Sequence, residues 1–228
     1  MAMNYRYYYN VMPGQEPWRN NLIYTSLIND THTVFVKWFN NDTDYHKGLN
    51  TVDVELMEGK WQRELKYYKL MHSTFNHLVP RILDIDYVNK KLYLEIKGVD
   101  FWQSSIDNNC SFDELLPDWR TQMLDIIKAH RSLGLYKYSM HPSSYFIIDG
   151  YLVSINYFFT YHKDEGPISI QDHQSHISQE RQIQVRRLVE ENGISWTDPQ
   201  PLNVLQNLCW DSFRTNYPSD FIENAKQI

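Results

Sequence analysis

Hydrophobic positions alternate with polar ones through much of the first hundred residues and later recur at three and four, so the chain changes character along its length. "YRYYYNV" (Tyr5–Val11) alternates bulky side chains, and "NLIYTSLI" (Asn21–Ile28) is a second such run. "NDTH" then turns the chain into "TVFVKWF" (Thr33–Phe39), where β-branched and aromatic residues dominate. Such residues fit a pleated, half-buried surface, so all three runs read as strands and the last two as a hairpin. A polar stretch, "NNDTDYHKGLN", reads as a loop. From Val52 the period changes: Val54, Met57, Trp61, Leu65 and Tyr68 recur at three and four, which predicts an amphipathic helix over about 53–72. Pro80 introduces "RILDIDY", a "VNKK" turn and "LYLEIKG", a second hairpin.

The remainder reads as mainly helical. Pro117 opens a helix with Leu116, Trp119, Met123, Ile126, Ile127, His130 and Leu133 on one face, and Gly134 stops it. A loop and hairpin follow over 136–158, turned by Asp149-Gly150 in a type I′ geometry. "KDEGPISIQDHQSH" reads as a polar loop. "ISQERQIQVRRLVEENG" reads as a helix between a Ser178 cap and Gly193, and a last helix is expected from Leu202 to Tyr217, interrupted by Pro218. The fold class is therefore α+β.

Composition narrows the function classes. At 228 residues with 42% hydrophobic and 22% charged content, the chain can bury a real core in one large domain or two small lobes. A net charge of −6 argues against a nucleic-acid scaffold, whose affinity rests on lysines and arginines that neutralise phosphates. Cys110 and Cys209 have no zinc or redox spacing and read as free thiols. "MAMNYRYYYNV" lacks the pattern of a signal peptide, and no run reaches the roughly 18 apolar residues of a membrane span. A cytoplasmic protein with no membrane association is expected.

The order of strands, helix, hairpin, long helix, loop and hairpin resembles the protein kinase-like superfamily, which includes the aminoglycoside and choline phosphotransferases. The resemblance covers about Leu22 to Phe158 and rests on three segments. "VFVK" resembles the strand whose lysine grips nucleotide phosphates, which would make Lys37 that lysine. "WQRELKYYKLM" resembles the regulatory helix, with Glu64 as the glutamate that pairs with it. "YSMHPSSYFIIDGYLVSINYF" is similar to the small-molecule kinase pattern His-Gly-Asp-Leu-His-Pro-Gly-Asn followed by a hairpin and Asp-Phe, with Pro142 fixing the register.

That register implies severe departures. The catalytic aspartate falls at Ser139, the metal-binding asparagine at Ser144 and the aspartate opening the next loop at Asn156. The glycine-rich phosphate loop would be "MPGQEPWRN", which offers only Gly14 and two prolines that remove backbone donors. Ser139 cannot act as a general base, and His141, two residues on, is the alternative. Asn156 and Ser144 are neutral, whereas Mg²⁺ prefers anionic oxygens, so no metal is expected. His173 and His176 have a metal-like spacing without a third ligand.

The resemblance then implies a two-lobed kinase-like architecture: residues 1–98 as a small antiparallel sheet with the regulatory-type helix, and 99–228 as a compact, mainly helical lobe. The boundary is expected at Gly98–Gln103, within the hinge-like "EIKGVDFWQ". It implies a catalytically degenerate member, a pseudokinase, acting as a binding or regulatory module toward a protein partner, and not an enzyme. Lys37, Glu64 and Asn156 would form what remains of a nucleotide site, leaving ATP or another nucleotide as an optional ligand. The competing reading is an atypical phosphotransferase or nucleotidyl transferase using Lys37, Glu64, His141 and Asn156. High Tyr and Asn content also resembles compact kinase-like proteins of bacteriophages and large DNA viruses, which would place the protein in a host cytoplasm.

Overall fold

The computed structural model describes residues 6–8, 23–28, 33–39, 54–170, 186–187 and 189–228. They form an α+β protein with small antiparallel sheets and several helices. The largest sheet contains β1 (Arg6–Tyr8), β2 (Ile23–Ile28), β3 (Thr33–Trp38), β4 (Arg81–Asp86) and β5 (Lys91–Glu95), in the order β1-β2-β3-β5-β4. β2 and β3 pair from Ile23 opposite Trp38 to Ile28 opposite Thr33, the hairpin that the β-branched runs predict. The alternation on β5 is strict, with Leu92 and Leu94 fully buried between half-buried neighbours. That is how a strand with one core-facing side should read.

Helix α1 (Val54–Thr74) packs on this sheet through Trp61, Leu65, Tyr68 and Met71, positions four and three apart. The same core continues past the sheet into Ala129, Leu135, Val153, Ile155 and Tyr157. A second core surrounds the fully buried Trp119 at the start of α4 (Trp119–Ser132). It draws on α2 (Phe101–Asp107), α3 (Phe112–Leu115) and α6 (Ser219–Lys226). Strand β6 (Gly98–Asp100) joins β8 (Tyr145–Ile148) and β9 (Tyr151–Ser154) in a three-stranded sheet. β7 (Leu135–Lys137) pairs with β10 (Thr160–His162), and β11 (Ile168–Ser169) with β12 (Pro199–Gln200). α5 (Leu202–Ser212) closes a third, smaller core with Tyr138 and Ile170. Among the described residues no helix is long and apolar enough to cross a membrane.

Three local expectations need correction. The helix assigned to Pro117 begins at Trp119, with Asp118 at its cap position. The stretch at 98–103, where the lobe boundary is expected, is strand β6 running straight into α2. Asp100 caps that helix by accepting the Gln103 N–H at 2.7 Å. The supposed polar loop after Lys163 contains β11, because Ser169 and Ile170 are buried. The last helix stops at Ser212 rather than Tyr217: the Tyr217 hydroxyl donates to the Met140 carbonyl at 2.7 Å, which draws that residue inward and leaves α6 to start after Pro218. The loop at 40–50 and the Ser178 cap lie outside the described residues.

Candidate functional site

β3 alternates, so Lys37 lies on the opposite face from its buried neighbour Val36 and pairs opposite Leu92 across the sheet. The inward face of α1 carries Glu64 between Trp61 and Tyr68. Lys37 and Glu64 form a salt bridge with both side chains fully buried. The Lys37 ammonium also donates to the Ile155 carbonyl at 2.7 Å and to Asn156 Oδ1 at 3.0 Å. An ammonium has three N–H donors and no acceptor, and here each donor has a partner inside the protein. The Phe158 ring adds a cation–π contact, 5.6 Å from Nζ to the centroid. Burial lowers the Lys37 pKa from the ordinary lysine value, against the pull of Glu64 in the other direction.

Glu64 is equally committed. One carboxylate oxygen takes Lys37, and the other accepts the Tyr157 backbone N–H at 2.7 Å. Asn156 is fixed from both ends, since its Nδ2 donates to Ser144 Oγ at 3.0 Å. Ser139 Oγ donates to the Asn156 carbonyl at 2.8 Å, and the Ile155 N–H to the Ser144 carbonyl at 3.1 Å. The loop 139–144 is thus stitched at both ends to the segment 155–156. Lys37, Glu64, Asn156, Ser144 and Ser139 form one connected network. His141 turns to its own loop. Its Nδ1 accepts the Ser143 N–H at 3.2 Å and lies 2.8 Å from Ser143 Oγ, while its ring meets Trp102 and Phe213 edge-on. That geometry caps the short helical turn at Pro142–Ser144.

Two groups at this site escape sequence reasoning. Lys137 is buried, donates to the Ser139 carbonyl and stands 4.9 Å over the Tyr145 ring. Desolvation brings its pKa down to about 7, with Glu64 opposing and Lys37 reinforcing the shift. The signal was present: Leu135 and Lys137 lie two apart on a strand, so a buried Leu135 implies a buried Lys137. His130 is also buried, 3.1 Å from the Tyr157 hydroxyl, and desolvation holds its pKa far below the ordinary histidine value. It is a neutral packing partner of the site. Gly14 with the rest of Met12–Asn20, and His173 and His176, lie outside the described residues.

Chemically, the cluster holds two lysine side chains and one carboxylate, and the carboxylate is taken up by Lys37 and a backbone amide. Ser139 offers a hydroxyl already spent as a donor. Asn156 and Ser144 offer neutral oxygens, one of which already accepts from Lys37. Proton abstraction needs a free base within reach of the substrate; the Glu64 carboxylate and the Ser139 hydroxyl are already engaged, whereas Lys137, with a pKa of about 7, keeps a neutral amine fraction at neutral pH. Among the described residues, no three His, Cys, Asp or Glu side chains are grouped so as to hold a metal ion.

No family model matches the chain, and no curated protein is significantly similar to it in sequence.

Proposed function

We propose that this chain is a degenerate, two-lobed member of the protein kinase-like superfamily, a pseudokinase that acts as a binding or regulatory module for a protein partner. Residues 1–98 make the sheet lobe and 99–228 the mainly helical one. What supports the kinase-like reading is the buried pairing of a β3 lysine with an α1 glutamate beside a loop and hairpin in the expected chain order. β6 lies in a different sheet from β5, which suits a lobe boundary just before it.

The observation that carries the loss of chemistry is the saturation of Lys37. Phosphoryl transfer depends on positioning and on cations that neutralise the transferring group. A lysine whose three donors already serve Glu64, Ile155 and Asn156 has none to offer a phosphate without dismantling its network. The proton acceptor and the metal carboxylate of the family are a serine and an asparagine here. Losing a general base costs about 10²–10⁴ in rate, and losing the metal removes several kcal/mol of charge stabilisation. The pair is retained for architecture, and the outer surface makes the interaction.

The test is a thermal-shift series with ATP, GTP and AMP, with and without Mg²⁺, beside a transfer assay with labelled ATP. The expected result is no metal-dependent shift and no transfer above background. Labelled phosphate or AMP appearing on a substrate, and vanishing in Lys37→Met, would overturn this reading in favour of an atypical phosphotransferase or nucleotidyl transferase.

A further inference from the structure

Lys37 and Lys137 are both buried, and they are provided for unequally. Lys37 has a carboxylate, a backbone carbonyl and an amide oxygen for its three N–H donors. The Lys137 amine has the Ser139 carbonyl and the face of the Tyr145 ring. The Thr160 hydroxyl stands across the β7–β10 ladder, fully buried, and makes no hydrogen bond, so it does not serve the amine. Gln206 of α5 reaches the Lys137 main-chain carbonyl at 2.8 Å and not the side chain. Glu64 has one oxygen on Lys37 and the other on the Tyr157 amide. A charged amine at 137 is therefore a buried cation with no carboxylate of its own among the described residues. Such a cation is costly, whereas a neutral amine is far less so.

We propose that Lys137 is a proton-operated latch. Its neutral amine lets the loop 139–144 lie closed on residues 155–156, and its protonation drives the loop to open so that water reaches the charge.

Lys137 is the last residue of β7 and stands at the root of that loop, holding its first carbonyl. Three hydrogen bonds join the loop to 155–156. Ser139 Oγ donates to the Asn156 carbonyl at 2.8 Å, Asn156 Nδ2 to Ser144 Oγ at 3.0 Å, and the Ile155 N–H to the Ser144 carbonyl at 3.1 Å. All are bonds between neutral groups, each of which water can replace at small net cost. They are the joint that yields first when the amine has to be hydrated. Lys37, with its own carboxylate, has no such need.

The charged and titratable groups facing the amine come from several elements. Desolvation brings the Lys137 pKa down to about 7, with Glu64 of α1 opposing that shift and Lys37 of β3 reinforcing it. Burial, with Lys137 itself adding to the effect, keeps His130 of α4 neutral. Burial also raises the phenols of Tyr145 on β8 and of Tyr157 after β9, so both stay protonated. Gln206 and Thr160, from α5 and β10, do not ionise. In the open loop the amine returns towards its ordinary value of 10.5. Between the two values the open state holds the extra proton, so opening grows as pH falls through that window and levels off below about 7.

Amide hydrogen exchange of the full chain, from about pH 6 to about pH 9, tests the latch at Ile155, whose N–H the loop accepts. Corrected for the intrinsic exchange rate, the opening equilibrium there should rise by up to about tenfold per pH unit on going down to pH 7, and then stay level. Amides of the β3–β5 ladder that open locally should not follow it. Lys137→Met should hold the loop closed and abolish the pH dependence. Lys137→Arg, whose guanidinium stays charged, should keep it open at every pH. The wild-type profile decides even if the arginine variant does not fold. An Ile155 opening that ignores pH, that occurs only when the whole protein unfolds, or that keeps its pH profile in Lys137→Met would overturn the proposal. The latch rests on the contacts of this loop and not on the kinase-like reading, so the nucleotide and transfer assays fail or succeed separately from it.

Discussion

The Tyr157 backbone N–H donates to Glu64 at 2.7 Å, so the residue following Asn156 is tied to the helix that carries the partner of Lys37. Glu64 thereby joins three separate segments: β3 through Lys37, its own helix, and the chain that leaves β9. A carboxylate with that many obligations holds the local structure together. Its removal or neutralisation should be read first in stability.

Lys37→Met leaves the Glu64 carboxylate buried without its cation, and we expect a loss of about 3–5 kcal/mol. Lys37→Met combined with Glu64→Gln removes both charges but keeps an amide oxygen for the Tyr157 N–H. That double variant is expected to regain a large part of the loss. Urea unfolding of both variants decides the matter: equal instability would mean that the backbone contacts, not the charge pair, dominate.

Lys137 gives the protein a pH dependence above neutrality. Its pKa falls from 10.5 to about 7 on folding, chiefly by desolvation. Between those values the unfolded chain holds more protons, so stability rises with pH across the window, with a slope of up to about 1.4 kcal/mol per pH unit. Below pH 7 the cost of burying the ammonium is present in full. Lys137→Met should therefore be more stable than the parent at neutral pH, and the difference should shrink towards pH 10. Denaturant melts at several pH values would reveal a flat difference if this assignment were wrong.

Asp100 acts in the acid range and with the opposite slope. Burial pushes it up to about 6 from 3.8, against the Gln103 and Trp102 amides that pull it down. A carboxyl with a raised folded pKa holds its proton more tightly in the folded state. Stability contributed by this group is present below about pH 3.8 and declines as pH rises to about 6. Asp100→Asn keeps an oxygen for the Gln103 N–H and removes the charge. It should gain stability relative to wild type as pH is raised through that window. A pH-independent difference would rule the assignment out.

Gly98 is fixed by space rather than by backbone conformation. A Cβ there would stand 2.0 Å from the Ile147 carbonyl oxygen, across the β6–β8 ladder. The clash cannot be relieved cheaply, since the carbonyl that the Cβ would meet is main chain held in the β6–β8 ladder. Gly98→Ala is expected to cost about 3 kcal/mol, at the upper end of overpacking effects. A thermal melt within a degree or two of the parent's would contradict this.

What the sequence discloses and what it hides divide along physical lines. Lys37 and Glu64 were legible through the resemblance of "VFVK" and "WQRELKYYKLM" to the kinase-like strand and helix, and Glu64 also because it falls on the helix face of Trp61 and Tyr68. The turn at Asp149-Gly150 was legible because its backbone requires two positive φ angles, observed at 51° and 81°. Helix α2 was missed although Asp100 and Gln103 have capping spacing, because the stretch was read as a connection between lobes. The early end of α5 was not legible, since the bond that draws Tyr217 inward goes to Met140, 77 residues away in sequence. Lys137 needed only the Leu135 alternation to be found, but its lowered pKa depends on Glu64 and Lys37, which only the tertiary structure brings near.

The Lys37 network also sets an order of assembly. Its acceptors Ile155 and Asn156 lie 118 and 119 residues further along the chain, and the Tyr157 amide that steadies Glu64 lies 93 beyond it. While the chain is being synthesised, the sheet and α1 emerge with an ion pair that lacks most of its hydrogen bonds. Contacts of such long sequence separation close late, because loop entropy opposes them until other packing is in place. The N-terminal part should therefore remain loosely packed on the ribosome until Tyr157 has been added. The Lys37 network is then a lock that closes only when segments more than ninety residues apart have all been made.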